Sequence, residues 1–269
     1  MKTILLPTDF SENSLMAADF AVEYLCEKGT SLVLAHVYDI PRGGTSGLFY
    51  LLEELQKQAE KNMVEFLQKL EKRYEEKELE LKQVVLQGNF ADQCNALAKR
   101  FEVEAIVMGT KGASGLKEAL IGSNTVDLMR ELKYPLYVIP ENYKDKSIKE
   151  LIMSFDGKSE LPASLVAPIT AFANKRQLPI RLLHVRVKEE DPVQNWTSLR
   201  NAFEGIKLDI QESWGESLEE GLKKATDEAE ALLVMVRRKQ TFWERFFNIS
   251  DSRKAVLHAE LPMLIVPEQ

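Results

Sequence analysis

Apolar residues along this chain fall into two rhythms. Short, nearly unbroken apolar runs at Thr3–Leu6, Leu32–Tyr38, Leu79–Leu86, Ala105–Met108 and Leu136–Ile139 are rich in Val, Ile and Leu. That is the pattern of parallel strands covered on both faces. Between them lie stretches in which apolar residues return every three or four positions, the mark of a helix with one buried face. Ser11 stands as a cap before Leu15, Ala18, Ala21, Val22 and Leu25. Leu48 to Tyr74 carries Leu51, Leu52, Leu55, Ala59, Met63, Phe66, Leu67 and Leu70, and two more helices are expected over Asp92–Phe101 and Ser123–Leu132. Strand and helix in alternation predict an α/β unit with a mostly parallel sheet.

The polar segment Glu141–Glu150 follows Pro140 and reads as a connector, after which the pattern restarts. Ile152-Met-Ser-Phe-Asp156 answers Leu5-Leu-Pro-Thr-Asp9, and Leu182-Leu-His184-Val185 answers Leu34-Ala-His36-Val37. Further on, at a constant offset of 127, Gly88 falls on Gly215, Val107-Met108 on Val234-Met235, Ser123 on Ser250, Pro135 on Pro262 and Pro140-Glu141 on Pro267-Glu268. An internal duplication explains this most economically. The expected domains are 1–140, a linker over 141–150 and a second copy over 151–269. The offset is 147 at Asp9/Asp156 and 148 at His36/His184, so about 21 residues are missing from the second copy between its second and fourth strands. Its counterpart of the long Leu48–Tyr74 helix, around Val193–Phe203, must be short.

Composition narrows the classes. A chain of 269 residues, 45% apolar and 29% charged, has ample material for cores and is not that of a disordered protein. The net charge of −7 provides no long-range attraction to nucleic acid or to an anionic membrane surface. Two cysteines, Cys26 and Cys94, form no CxxC or Cys/His cluster, so neither a disulfide framework nor a metal site is expected. Both read as core thiols, and a reducing, cytoplasmic compartment is the expectation. The apolar stretch at the N-terminus stops at Pro7 and Asp9, too short for a secretory signal, and no run approaches a membrane span.

The chemistry is concentrated in residues 109–126, Gly-Thr-Lys-Gly-Ala-Ser-Gly-Leu-Lys-Glu-Ala-Leu-Ile-Gly-Ser-Asn-Thr-Val, between an expected strand and an expected helix. Glycines let backbone N–H groups approach an anion, and a helix start presents unpaired donors and a positive dipole. Neither a Walker loop nor a GxGxxG fingerprint is present. On glycine content alone, Gly112 and Gly115 also suit a plain turn and Gly122 a break between helices.

The spacing Gly109-x2-Gly112-x9-Gly122-Ser123 resembles the nucleotide-binding motif of the ATP-binding branch of the universal stress protein family. The opening Ile-Leu-Leu-Pro-Thr-Asp9-Phe-Ser, the Ala-His36-Val37 strand end, Ile-Val-Met-Gly109-Thr-Lys-Gly112 and the Tyr-Pro135-Leu-Tyr-Val-Ile-Pro140 finish resemble it in order, and the duplication resembles its tandem members. The resemblance implies two tandem doubly wound five-stranded parallel sheets, each of strand order 3-2-1-4-5 with helices on both faces. It also implies pairing of the two domains through their fifth strands in an intramolecular pseudo-dimer, with a homodimer as a further assembly. ATP, with magnesium, would be the ligand, bound at the carboxyl ends of the strands. Asp9 would contact the adenosine part and the Val37 backbone the adenine edge. Gly109 and Gly112 would wrap ribose and inner phosphates, and Gly122, Ser123, Asn124 and Thr125 would hold the phosphates. Asn124 replaces the aliphatic residue usual there.

Plainer readings stand beside these. Asp9 suits an N-terminal helix cap as well as a ligand contact, and the two roles are compatible. His36 and His184, at equivalent strand ends, read as packed, hydrogen-bonded residues, and Lys111 as a solvated loop lysine. In the second copy Gly109 becomes Val236, Gly112 becomes Lys239 and Gly122 becomes Ile249, so this half is not expected to bind nucleotide in the same way. Arg237–Phe247 reads as a helix packing its aromatics inward, with a partner surface as the other reading. Three functions remain open: a stress-response protein with ATP as a regulatory ligand, a slow ATPase or autophosphorylating enzyme, and a nucleotide-free scaffold. No residue is assigned to catalysis.

Overall fold

The computed structural model describes residues 2–39, 48–110, 122–143, 147–154, 161–186, 196–237 and 261–268. The chain divides into two compact units, with the passage from first to second after Glu141.

In the first unit the elements are β1 (Thr3–Pro7), α1 (Glu12–Phe20), β2 (Ser31–Tyr38), α2 (Leu48–Arg73), β3 (Glu80–Gln87), α3 (Phe90–Arg100), β4 (Ala105–Gly109), α4 (Ser123–Glu131) and β5 (Leu136–Ile139). All pairings are parallel, β1 lying between β2 and β4, with β3 outside β2 and β5 outside β4. The order is therefore 3-2-1-4-5, as expected. Ile4, Leu5, Leu32, Leu34, Ile106 and Val107 at the sheet centre are fully buried, which unbroken apolar runs require of strands covered on both faces. The run Leu79–Leu86 differs. As the edge strand, β3 is only half-buried, and Glu80, Gln83 and Gln87 lie exposed; polar side chains there also guard an open edge against pairing with another chain.

Local chemistry sets the helix starts. Ser11 caps α1, its Oγ accepting the N–H of Ser14 at 3.2 Å, and Asn89 caps α3, its side chain accepting the N–H of Asp92 at 3.0 Å. A single π-type turn, Ala21–Leu25, continues α1 before the chain turns at Cys26. The 26-residue α2 buries Ala59, Met63, Phe66 and Leu70. Its last turns are tied to α1: Lys69 pairs with Glu12 at 3.0 Å, and the Arg73 guanidinium forks onto both Asp19 oxygens at 2.6 and 2.7 Å. The Tyr74 hydroxyl donates to Asp19 at 2.6 Å.

The second unit contains β6 (Glu150–Ser154), α5 (Ala163–Arg176), β7 (Ile180–Arg186), α6 (Trp196–Ala202), β8 (Leu208–Trp214), α7 (Leu218–Thr226), β9 (Ala231–Arg237) and β10 (Met263–Pro267). Its pairings repeat the first sheet, with β6 between β7 and β9, β8 outside β7 and β10 outside β9. The strands fall at the offsets read from the sequence: β6 answers β1, and β9 and β10 answer β4 and β5. Ile148 is already buried and Glu150 already in β6, so the polar stretch after Pro140 runs directly into the second core. Arg181 on β7 forks onto Glu150 and reaches Gln211 at 2.9 Å. The helix α6 has seven residues against the 26 of α2, as the missing segment demanded. Pro168 lies inside α5.

Candidate functional site

Four structural features of the first unit meet at the carboxyl ends of its strands: the turn after β1, the end of β2, the end of β4 and the start of α4. The switch between β1's neighbours β2 and β4 lies here, where open α/β sheets leave a crevice.

Asp9 follows β1 and is half-buried. Its Oδ1 accepts the N–H of Ser11 at 3.2 Å, the Ser11 hydroxyl at 2.6 Å and the Ser14 hydroxyl at 2.7 Å. Ser11, not Asp9, is thus the cap of α1, and Asp9 braces the cap from outside. Between them Phe10 takes a left-handed backbone, φ 68°, which costs a non-glycine residue energy. Its ring packs 4.5 Å from that of His36 and 5.9 Å from that of Phe66. The Nδ1 of His36 lies 2.8 Å from the Thr8 carbonyl oxygen. His36 is a packed, hydrogen-bonded residue here.

Val37 carries an open backbone edge. In a parallel ladder the N–H and C=O of one residue point to one side and those of the next to the other. The Thr8 N–H donates to Ala35 O at 2.8 Å, and the Gly88 N–H donates to Tyr38 O at 3.1 Å. Ala35 and Val37 therefore face β1, while His36 and Tyr38 face β3. The β1 ladder stops at Pro7 and Ala35, so the donor and acceptor of Val37 extend past the end of β1.

Gly109 closes β4 without a positive φ, and its need for glycine is steric. A Cβ there would lie 2.4 Å from Oδ1 of Asn13. Asn13, on α1 and buried, donates from Nδ2 to the Ile139 carbonyl at 3.2 Å, so it sits between the ends of β4 and β5. The same carbonyl accepts the N–H of Thr110 at 3.0 Å. Sequence reading missed Asn13, because its partner is 126 positions away in the chain.

Gly122 is the N-cap of α4, with φ −60° and ψ 151°, angles that any residue adopts. It offers no side chain to cap the helix. Where Ser, Asp or Asn would fill one of the first N–H groups, glycine leaves those of Ser123, Asn124 and Thr125 for an outside acceptor. Ser123 and Asn124 are exposed. Thr125 is only 2% exposed, and its Oγ1 donates inward to Gly109 O at 3.3 Å. Its hydroxyl is thus committed to β4. Lys111, Gly112 and Gly115 lie outside the described residues, as do Asp156, Lys239, Ile249, Ser250 and residues 238–247 of the aromatic segment.

Among the described residues no cluster of His, Cys, Asp or Glu is placed to hold a metal ion, and no helix is long and apolar enough to cross a membrane. Burial in α3 pushes the Cys94 thiol up to about 12, which makes it inert in the folded state. Cys26 is half-buried and forms no disulfide.

The model of the universal stress protein family matches residues 1–140. The chain belongs to the universal stress protein family. Two curated universal stress proteins of Methanocaldococcus jannaschii are similar to about half of it. MJ0577 is 27% identical over 51% of this chain and 94% of its own length, and MJ0531 is 31% identical over 54% of this chain and 85% of its own. The crystal structure of a universal stress protein from Archaeoglobus fulgidus is similar to the whole chain. It covers 99% of this chain and 96% of its own with a TM-score of 0.76, and at 18% identity it is a likeness of fold.

Proposed function

We propose that this universal stress protein binds ATP in its first unit as a regulatory ligand, in a cytoplasmic stress response. The observation that carries the reading is the uncapped start of α4, where three backbone N–H groups open at the end of the sheet that also bears Val37 and Asp9. Unpaired donors at a helix start fit phosphate. The donor and acceptor of Val37 fit the paired acceptor and amino group of an adenine edge, and Asp9 would contact the adenosine part. Gly112 would join this cradle through the motif spacing. Magnesium would arrive with the triphosphate as its counter-ion. Cysteines without a disulfide suit a reducing compartment.

ATP is read as a ligand and not a substrate because Asp9, the acid beside the site, already has Oδ1 engaged by three donors. An oxygen so engaged is poorly placed to take a proton from an attacking water. The second unit keeps the fold without the glycines and serves as a structural partner.

The test compares thermal unfolding of nucleotide-freed wild type with that of Ser123→Pro, each with and without ATP and magnesium. Proline is accepted at the first helical position, and the extended Gly122 before it suits proline. The variant therefore loses one anion donor while its helix stays formed. ATP near 100 times its Kd should stabilise the wild type by ~2.7 kcal/mol, and the variant less at the same concentration, with the ligand-free midpoints alike. An unshifted wild type overturns the reading and leaves the scaffold.

A further inference from the structure

The first turn of α4 is held in place by a closed ring of contacts. The Gly122 N–H donates to Thr110 O at 2.8 Å, and the Thr125 hydroxyl donates to Gly109 O at 3.3 Å. Two consecutive residues leaving β4 are thus each bonded to the start of α4, once through backbone and once through a side chain. The Ile139 carbonyl anchors the ring, receiving both the Thr110 N–H and the Asn13 amide. Every side chain in the ring is buried: Thr125 is 2% and Asn13 5% exposed. A buried hydroxyl with its proton committed to a carbonyl fixes geometry, since breaking the contact strands the carbonyl.

We propose that Thr125 is a positioning residue. Its hydroxyl sets the register of α4's first turn against the end of β4, so that the N–H groups of residues 123–125 converge on one point, and this sets the preference for a phosphorylated nucleoside over the bare nucleoside. The inference rests on the ATP reading above. It separates two parts of the site, since Asp9 and Val37 belong to β1's turn and β2 and do not depend on Thr125. A hydroxyl that merely supported the fold would affect both parts alike.

The experiment is calorimetric titration of the full chain with ATP and, separately, with adenosine, for wild type, Thr125→Val and Thr125→Ser. Valine keeps the buried volume and loses the donor; serine keeps the donor. Thr125→Val should weaken ATP about tenfold and leave adenosine within about twofold, and Thr125→Ser should restore ATP to within about twofold of wild type. Undiminished ATP binding by Thr125→Val overturns the assignment, as does a parallel loss of ATP and adenosine. A wild type that binds neither ligand overturns the ATP reading itself and this inference with it, a result separable from the others because it is read before any variant.

Discussion

The ends of β4 and β9 occupy the same place in two copies of one fold, and the described residues show them packed differently. In the first unit a buried asparagine from α1 leans on the end of β4, and only glycine fits at position 109. In the second unit the matching position, Val236, is half-buried and bears a branched side chain. Both strands pair in parallel with the same neighbours, so the sheet does not require glycine at its strand end. What requires it is the Asn13 side chain that α1 brings against the strand end.

Changes of pH and of single residues put this contrast to the test. The largest effect should come with alkali. Tyr74, Cys94 and Tyr137 all lie in the first unit, and burial raises the pKa of each. Beyond Tyr143 the second unit has neither tyrosine nor cysteine. These groups stay neutral when folded and ionise when unfolded, so the unfolded state binds fewer protons and stability falls as pH rises above their ordinary values. For Cys94 the window runs from about 9 to about 12. Each fully buried group contributes ~1.4 kcal/mol per pH unit there, and the partly solvated Tyr74 less. Melting followed from pH 8 to 11 should show the first unit failing before the second; joint failure at one midpoint would sink the contrast.

Next in size is Gly109→Ala. The new methyl must displace Asn13 and break its bond to Ile139, a cost of ~1–3 kcal/mol. Adding Asn13→Ala should recover part of that loss, as a double-mutant cycle would show by coupling between the two sites. The opposite change, Val236→Gly, should destabilise the second unit by ~1 kcal/mol and confer no nucleotide binding. Asp9→Ala leaves three donors short of an acceptor and should cost ~1–2 kcal/mol in chemical denaturation. Least of all, Lys69→Ala should cost under about 1 kcal/mol, because the Glu12 pair it breaks is largely exposed.

Much of this architecture was legible before any coordinate. The apolar runs located the strands of the first unit to within a residue or two, and the Leu48–Tyr74 periodicity marked α2 almost end to end. Parallel strands buried on both faces simply have no room for polar residues. The apolar run of β3 did not itself show an edge strand, because such a run does not say on which side a neighbour is missing; only the strand order implied by the resemblance put it there. The glycine motif pointed to the carboxyl end of β4, yet it gave no sign that Gly109 answers to Asn13, a contact made only when the chain has folded back on itself. Thr125 did leave a trace. With Leu128, Met129 and Leu132 it falls at helical spacing on the buried face of α4, which is the wrong face for a hydroxyl meant to meet solvent and ligand.

Many of the first unit's side-chain bonds run through one short helix. α1 is bound at several points: Ser11 and Ser14 grip Asp9, Asn13 spans two strand ends, and Glu12 and Asp19 take the tethers of α2. A proline in its middle would remove a helical N–H and tilt these contacts together. One backbone change inside α1 would thus be felt at the strand ends and along α2 at once, which makes this helix the common anchor of the first unit.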